Sequence, residues 1–145
     1  MKIKNIFKTI LSGLGILILF FVLLIGVIFL IFRPDEMCGN KLIETSYSPN
    51  KELKILIFSV DCGATTGFST QMSLVDSDYE LDKNDNGNIF VADSNHGKAN
   101  TNGELIQLKI KWIDNENVEV YYAKNARVFK DKSSKKGVEI LYKEF

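Results

Sequence analysis

The order of hydrophobic and polar positions splits this chain into two unequal parts. Residues 10–32 carry no charged side chain, and Ser12 is the one clearly polar residue among them. A helix rises about 1.5 Å per residue and needs about 20 mostly apolar residues to cross a hydrocarbon core of about 30 Å. Residues 10–32 are therefore expected to form a transmembrane helix, with 1–9 before it and a linker over 33–40 after it, where Pro34 stops the helix.

After the linker the apolar period becomes two, and 41–145 read as one β domain. Ile106, Leu108, Ile110 and Trp112 alternate with Gln107, Lys109 and Lys111. Val118, Val120 and Tyr122 alternate with Glu119 and Tyr121, and Val138, Ile140 and Tyr142 alternate with Glu139, Leu141 and Lys143. Such alternation predicts half-buried strands. Residues 53–60 are apolar on both faces, which predicts a central strand covered on both sides. Strands over 41–47, 68–75 and 88–92 complete the set, and turn signals separate them at 48–51, 63–67, Asn86-Gly87, Asn102-Gly103, 114–117 and 133–137. The expected fold is all-β, an antiparallel meander forming a small sandwich or open barrel, preceded by one N-terminal transmembrane helix.

Charge orients the span. Lys2, Lys4 and Lys8 precede it, whereas Arg33, Asp35 and Glu36 follow it without net positive charge. The positive-inside bias places the N-terminus in the cytoplasm and the β domain outside the cell membrane. The apolar run exceeds the roughly 7–15 residues of a secretory signal, and Phe32-Arg33-Pro34-Asp35-Glu36 has no small-x-small cleavage site, so the helix is expected to stay as a signal anchor in the bilayer. Asp35-Glu36-Met37 lacks a lipobox, and no lipidation is expected at Cys38.

All 18 acidic residues follow the span while three of the 18 basic ones precede it, so the outer part is net negative. That excludes a general nucleic-acid partner, which needs a basic patch. The charges are uneven, acidic over 76–93 and basic from Lys124 to Lys136. Solvated loops explain both runs, and the basic one is a second-choice contact surface that would be sensitive to salt.

Cys38 and Cys62 are the only cysteines, and both fall on the side expected to be outside, where disulfides persist. If 49–51 form a three-residue hairpin loop, directly opposed residues set Cys38 against Cys62, within reach of a disulfide. A loop one residue longer puts the two thiols on opposite faces. Closing a loop of about 25 residues would stabilise the domain by about 3 to 3.5 kcal/mol.

Three constellations could carry chemistry. After the buried strand, Gly63 and Gly67 bracket hydroxyl residues in the segment 61–71, which can present N–H groups and hydroxyls to a ligand but lacks the Gly-Lys-Ser/Thr ending of a phosphate loop. His96, the only histidine, lies in Asp93-Ser94-Asn95-His96-Gly97. A Cys62–His96 dyad with Arg127 as oxyanion partner would make a membrane-anchored thiol enzyme, at the cost of the disulfide. Asp82, Asn84 and Asn86, with Gly87 sixth, Ile89 eighth and Asp93 twelfth, follow a calcium loop, although a strand follows where a helix is needed and Asn86-Gly87 also reads as a hairpin turn.

Together, Met37-Cys38-Gly39-Asn40, Ser48-Pro49, the segment 61–71, the segment 87–97 and Ala126-Arg127-Val128-Phe129 resemble a family of small bacterial domains of unknown function. The resemblance implies no activity, but it implies that the loops 61–71 and 93–97 form one shared feature. The expected function is therefore a binding or interaction module at the bacterial envelope, fitting an immunity or accessory protein. Its partner would be another envelope protein or peptide, met by Asp61, Thr65, Thr66, Ser69, Gln71, Asp93, Asn95 and His96. No cofactor and no metal is implied, and no catalytic residue is assigned.

Overall fold

The computed structural model describes residues 2–31, 38–63 and 67–145. They divide into two compact units, Met1–Asp35 and Glu36–Phe145. In the first, helix α1 (Lys2–Ile31) contains the 21-residue segment Ile10–Leu30 with a mean hydropathy of 3.1 and apolar side chains exposed along its length. At about 1.5 Å per residue this segment reaches about 30 Å. It is long and apolar enough to anchor in a membrane or to serve as a signal sequence.

The second unit is all β. Its strands are β1 (Gly39–Tyr47), β2 (Leu53–Asp61), β3 (Ser69–Asp76), β4 (Phe90–Asp93), β5 (Thr101–Asn102), β6 (Leu105–Ile106), β7 (Leu108–Trp112), β8 (Asn117–Tyr122), β9 (Arg127–Asp131), β10 (Ser134–Lys135) and β11 (Val138–Glu144). Sheet 1 has the order β1-β2-β3-β4-β9 and sheet 2 the order β10-β11-β8-β7, while β5 and β6 form a small hairpin. The all-β class with one apolar N-terminal helix holds, and no barrel closes.

The path differs from a simple meander after β4. The chain builds β7 and β8 in sheet 2, returns to sheet 1 as β9, and crosses once more so that β11 lies parallel to β8. The alternating stretch 106–112 also breaks at Gln107. There the N–H donates to the carbonyl of Asn100 and the carbonyl accepts from Ala123, both at 2.8 Å, so β6 pairs with β5 while β7 pairs with β8.

The two sheets enclose Ile55, Ile57, Met72, Leu74 and Phe90 from sheet 1 and Val118, Val120, Val138 and Ile140 from sheet 2. Each such side chain contributes about 1.5–3 kcal/mol when fully buried. The ring of Phe90 bridges the sheets, 5.5 Å from Tyr122 and 5.6 Å from Tyr142. Tyr142 donates its hydroxyl to the Ile89 carbonyl at 3.1 Å, and burial pushes that hydroxyl above its ordinary range.

β2 is covered on both sides, as its sequence requires. Its outward residues Leu56, Phe58 and Val60 join Val75 in a second cluster, packed against Leu81, Cys38 and Cys62. Leu81 belongs to an irregular strap, residues 77–87, laid over the outer face of sheet 1. Asn40 Nδ2 donates to the carbonyls of Asp82 at 3.0 Å and Asp85 at 2.6 Å, and Ser73 Oγ donates to Asn86 O at 3.4 Å. Gln71 Oε1 accepts the N–H of Gly87 at 2.5 Å, and Lys130 Nζ donates to the carbonyl of the same glycine at 2.7 Å.

Cys38 and Cys62 are joined by a disulfide, reached by a route the sequence did not suggest. The hairpin loop has four residues, because Ser48 N–H donates to Leu53 O at 2.9 Å and Tyr47 opposes Lys54. A four-residue loop alone would set the cysteines on opposite faces. The register then shifts between Leu42 and Glu44, and this bulge at Ile43 absorbs the extra residue, so that Gly39 opposes Asp61 and the sulfurs meet. β1 accordingly starts at Gly39, ahead of the expected residue 41.

Candidate functional site at the loop end of sheet 1

Cross-strand pairing gathers one end of sheet 1. Gly39 opposes Asp61, Val60 opposes Ser69, Ser69 opposes Asp93, and Asp93 opposes Arg127. β2 and β4 therefore end, and β3 begins, at the same end of the sheet, which sets Cys62, Gly63, Gly67 and Phe68 near the segment 94–100. Gly67, Phe68 and Ser94 share a cavity of about 230 Å³ with Thr101, Gly103 and Glu104.

The expected contact residues fall into three groups. Thr65 and Thr66 lie outside the described residues. Asp61, Ser69 and Gln71 are engaged within the domain. Asp61 Oδ1 accepts the N–H of Gly63 at 2.9 Å, and Ser69 Oγ accepts from Gln71 Nε2 at 3.0 Å. Gln71 is only 6% exposed and holds the strap through Gly87. Thr70 between them accepts the N–H of Ile106 through Oγ1 at 2.9 Å and so fastens the β5–β6 hairpin to the inner face. Alternation along β3 thus sends Gln71 to one overlying segment and Thr70 to another.

Asp93, Asn95 and His96 form the third group. Arg127 Nε donates to the two Asp93 oxygens at 3.3 and 3.2 Å, and its Nη2 donates to Oδ2. Asp93 Oδ1 also accepts the N–H of Asn95 at 2.8 Å. Burial alone would raise the Asp93 carboxyl, but Arg127 and the Asn95 N–H hold it below the ordinary carboxylate range and raise Arg127 in return.

The loop beyond Asp93 has an uncommon backbone. Asn95, His96 and Gly97 have φ of 50°, 57° and 81°, three left-handed residues in succession. Glycine adopts this without strain and asparagine tolerates it, while histidine, which enters this region more readily than most L-residues, still meets part of the usual cost of about 1–2 kcal/mol. The loop is held by Asn95 Nδ2 donating to Asn125 O at 3.1 Å, Gly97 N–H to Ser94 Oγ at 3.2 Å and Ala99 N–H to Ser94 O at 3.0 Å. The exposed His96 side chain makes no hydrogen bond or ion pair among the described residues. Phe68 is 45% exposed and lines the cavity beside this loop, although its place at the start of an expected strand suggested burial.

The model of a family of unknown function, DUF5412, matches residues 8–132, taking in the apolar segment of α1 and every strand from β1 to β9. The chain belongs to that family. No curated protein and no solved structure matches it. The family region contains both loops, the strap and the Asp93–Arg127 pair, and it ends before β10 and β11.

Two other arrangements considered from the sequence look different in three dimensions. Cys62 is bonded to Cys38, so the thiol a Cys62–His96 dyad requires is tied up, and Arg127 is bound to Asp93. In the calcium-like segment, Asp82 Oδ1 accepts the N–H of Asn84 at 3.0 Å, while Asp85 Oδ2 accepts from Tyr79 at 2.7 Å and from the Asp82 N–H at 2.8 Å. Asn86-Gly87 is not a hairpin turn but the end of the strap. Among the described residues no three His, Cys, Asp or Glu side chains converge as a metal site.

The basic stretch also divides. Arg127 is paired to Asp93, Lys136 to Asp76 at 2.7 Å and Lys130 to the Gly87 carbonyl, and Lys124 and Lys132 lie beyond opposite ends of β9.

Proposed function

We propose that this chain is a single-pass membrane protein with its N-terminus in the cytoplasm, and that its β domain is an extracytoplasmic interaction module with no catalytic role of its own. The three lysines before the apolar segment favour that orientation. The observation that carries the binding reading is His96, held in a left-handed conformation by a tied loop, exposed, and with no hydrogen bond or ion pair among the described residues. Strain kept under an exposed side chain points to an external contact. The contact surface is then His96 with Asn95, Phe68 and the rim of the Asp93–Arg127 pair, and the partner is another envelope protein or peptide.

In-cell photocrosslinking tests this. A photoreactive residue placed at position 96 of the full-length chain is expected to give a discrete adduct that the same residue at position 83, on the strap, does not give. Adducts of equal yield at both positions, or none at 96, would contradict the assignment.

A further inference from the structure

Sheet 2 bears a second concavity, remote from His96. β8 turns into β9 at the loop end, through Ala123 and Ala126, and the groove lies at the other end, where β8 begins. Its volume is about 640 Å³, within the range of specific ligand sites. Ile113 and Leu141, 51% and 54% exposed, give it apolar walls. Asp114, Glu119 and Glu139 line it, and no lysine or arginine does. Glu119 is balanced by Lys143 at 2.6 Å and Lys111 at 3.8 Å, and Asp114 accepts from the Glu116 N–H and from Asn117. The carboxylate of Glu139 has no hydrogen bond or ion pair among the described residues, and neither do the hydroxyls of Ser133 and Ser134, which also line the groove.

An apolar slot rimmed by an unbalanced carboxylate and two free hydroxyls has a definite complement. The geometry points to a short basic segment of a partner protein, with a lysine or arginine on Glu139, an apolar side chain between Ile113 and Leu141, and its backbone on Ser133 and Ser134. Charge selects the segment and the apolar walls hold it. This site is independent of the His96 surface, so either can fail alone.

The sole tryptophan, Trp112, packs against the core between the sheets and does not line the groove, so binding is read by isothermal titration calorimetry. Full-length protein in neutral detergent micelles is titrated with acetyl-Lys-Val-Lys-Leu-amide and with its Glu-for-Lys counterpart, empty micelles being subtracted. The basic peptide is expected to bind saturably and at least about ten-fold more tightly than the acidic one. Glu139→Lys and Leu141→Ser, both at exposed positions, are each expected to weaken it by about ten-fold or more, with unfolding midpoints unchanged, whereas His96→Ala leaves it intact. Equal affinity for the two peptides, no saturable response, or no effect of either groove variant would overturn the proposal. Binding of lysine amide as tight as that of the peptide would overturn it as well, since the apolar walls would then play no part.

Discussion

The backbone N–H of Gly87 donates to Oε1 of Gln71 at 2.5 Å, and a Cβ at Gly87 would lie 2.5 Å from the Phe90 carbonyl oxygen and 3.0 Å from the Gln71 Cβ. Glycine is needed there for close approach, and its φ is not among the positive ones. This pair fastens the strap over the outer apolar cluster of β2. Gln71→Ala leaves a buried N–H unpaired and is expected to destabilise the domain by about 1–3 kcal/mol. Gly87→Ala forces backbone apart and is expected to cost at least as much. Denaturant unfolding of the full-length protein checks both, and unchanged midpoints would mean that the strap is held by other contacts.

The disulfide closes the β1–β2 hairpin next to the outer cluster. Cys38→Ser or Cys62→Ser is expected to lower stability by about 2–5 kcal/mol. The same protein, native and unreduced, is expected to show no titratable thiol. Reactivity of both cysteines before reduction would contradict the pairing.

Acid should weaken the domain in a defined direction. Lys143 and then Tyr121 hold Glu119 below the ordinary carboxylate range, Lys41 and Ser59 do the same for Glu104, and Arg127 overcomes the opposing effect of burial at Asp93. A depressed folded-state pKa means that the unfolded chain binds more protons near pH 4. The stability these groups add is complete above their unfolded values of about 4 and is lost as pH falls through the lower folded ones. Unfolding midpoints measured from about pH 6 to about pH 2 are expected to fall in that window, less steeply in Glu119→Gln. A midpoint independent of pH there would contradict the coupling.

His96 should separate stability from binding. Glycine at position 96 removes the left-handed strain, offset in part by the greater freedom of the unfolded chain, so His96→Gly is expected to leave stability unchanged or raise it by up to about 1 kcal/mol. The crosslinkable contact of this loop should nonetheless be lost, which can be read from a photoreactive residue at the neighbouring position 98. A marked loss of stability would instead make His96 a packing residue.

The elements legible in the sequence were those whose pattern has one physical solution. A run such as 53–60, apolar on both faces, must be covered twice, and it is. The meeting of Cys38 with Cys62 was also legible, although the loop and the bulge at Ile43 depart from the assumed hairpin by compensating single residues. β9 was not legible, because Arg127, Lys130 and Asp131 mask its Val128 and Phe129 as a solvated charge run. Nor was the role of Gln71. A polar residue on a strand does not reveal which irregular segment will cover it, and Gly87 looked like a turn when its function is to let backbone approach. The common end at which β2 and β4 finish follows from strand direction alone, whereas the left-handed run at 95–97 has no periodic signature.

The proposed export of the β domain would account for both the disulfide and the proposed contacts, and one measurement tests it most directly. Cells expressing the full-length chain with Lys98→Cys, an exposed loop position, are treated with a membrane-impermeant maleimide before and after permeabilisation. Labelling at position 98 in intact cells, with Cys38 and Cys62 unlabelled until reduced, is the predicted result. Labelling only after permeabilisation would place the domain in the cytoplasm and contradict the account.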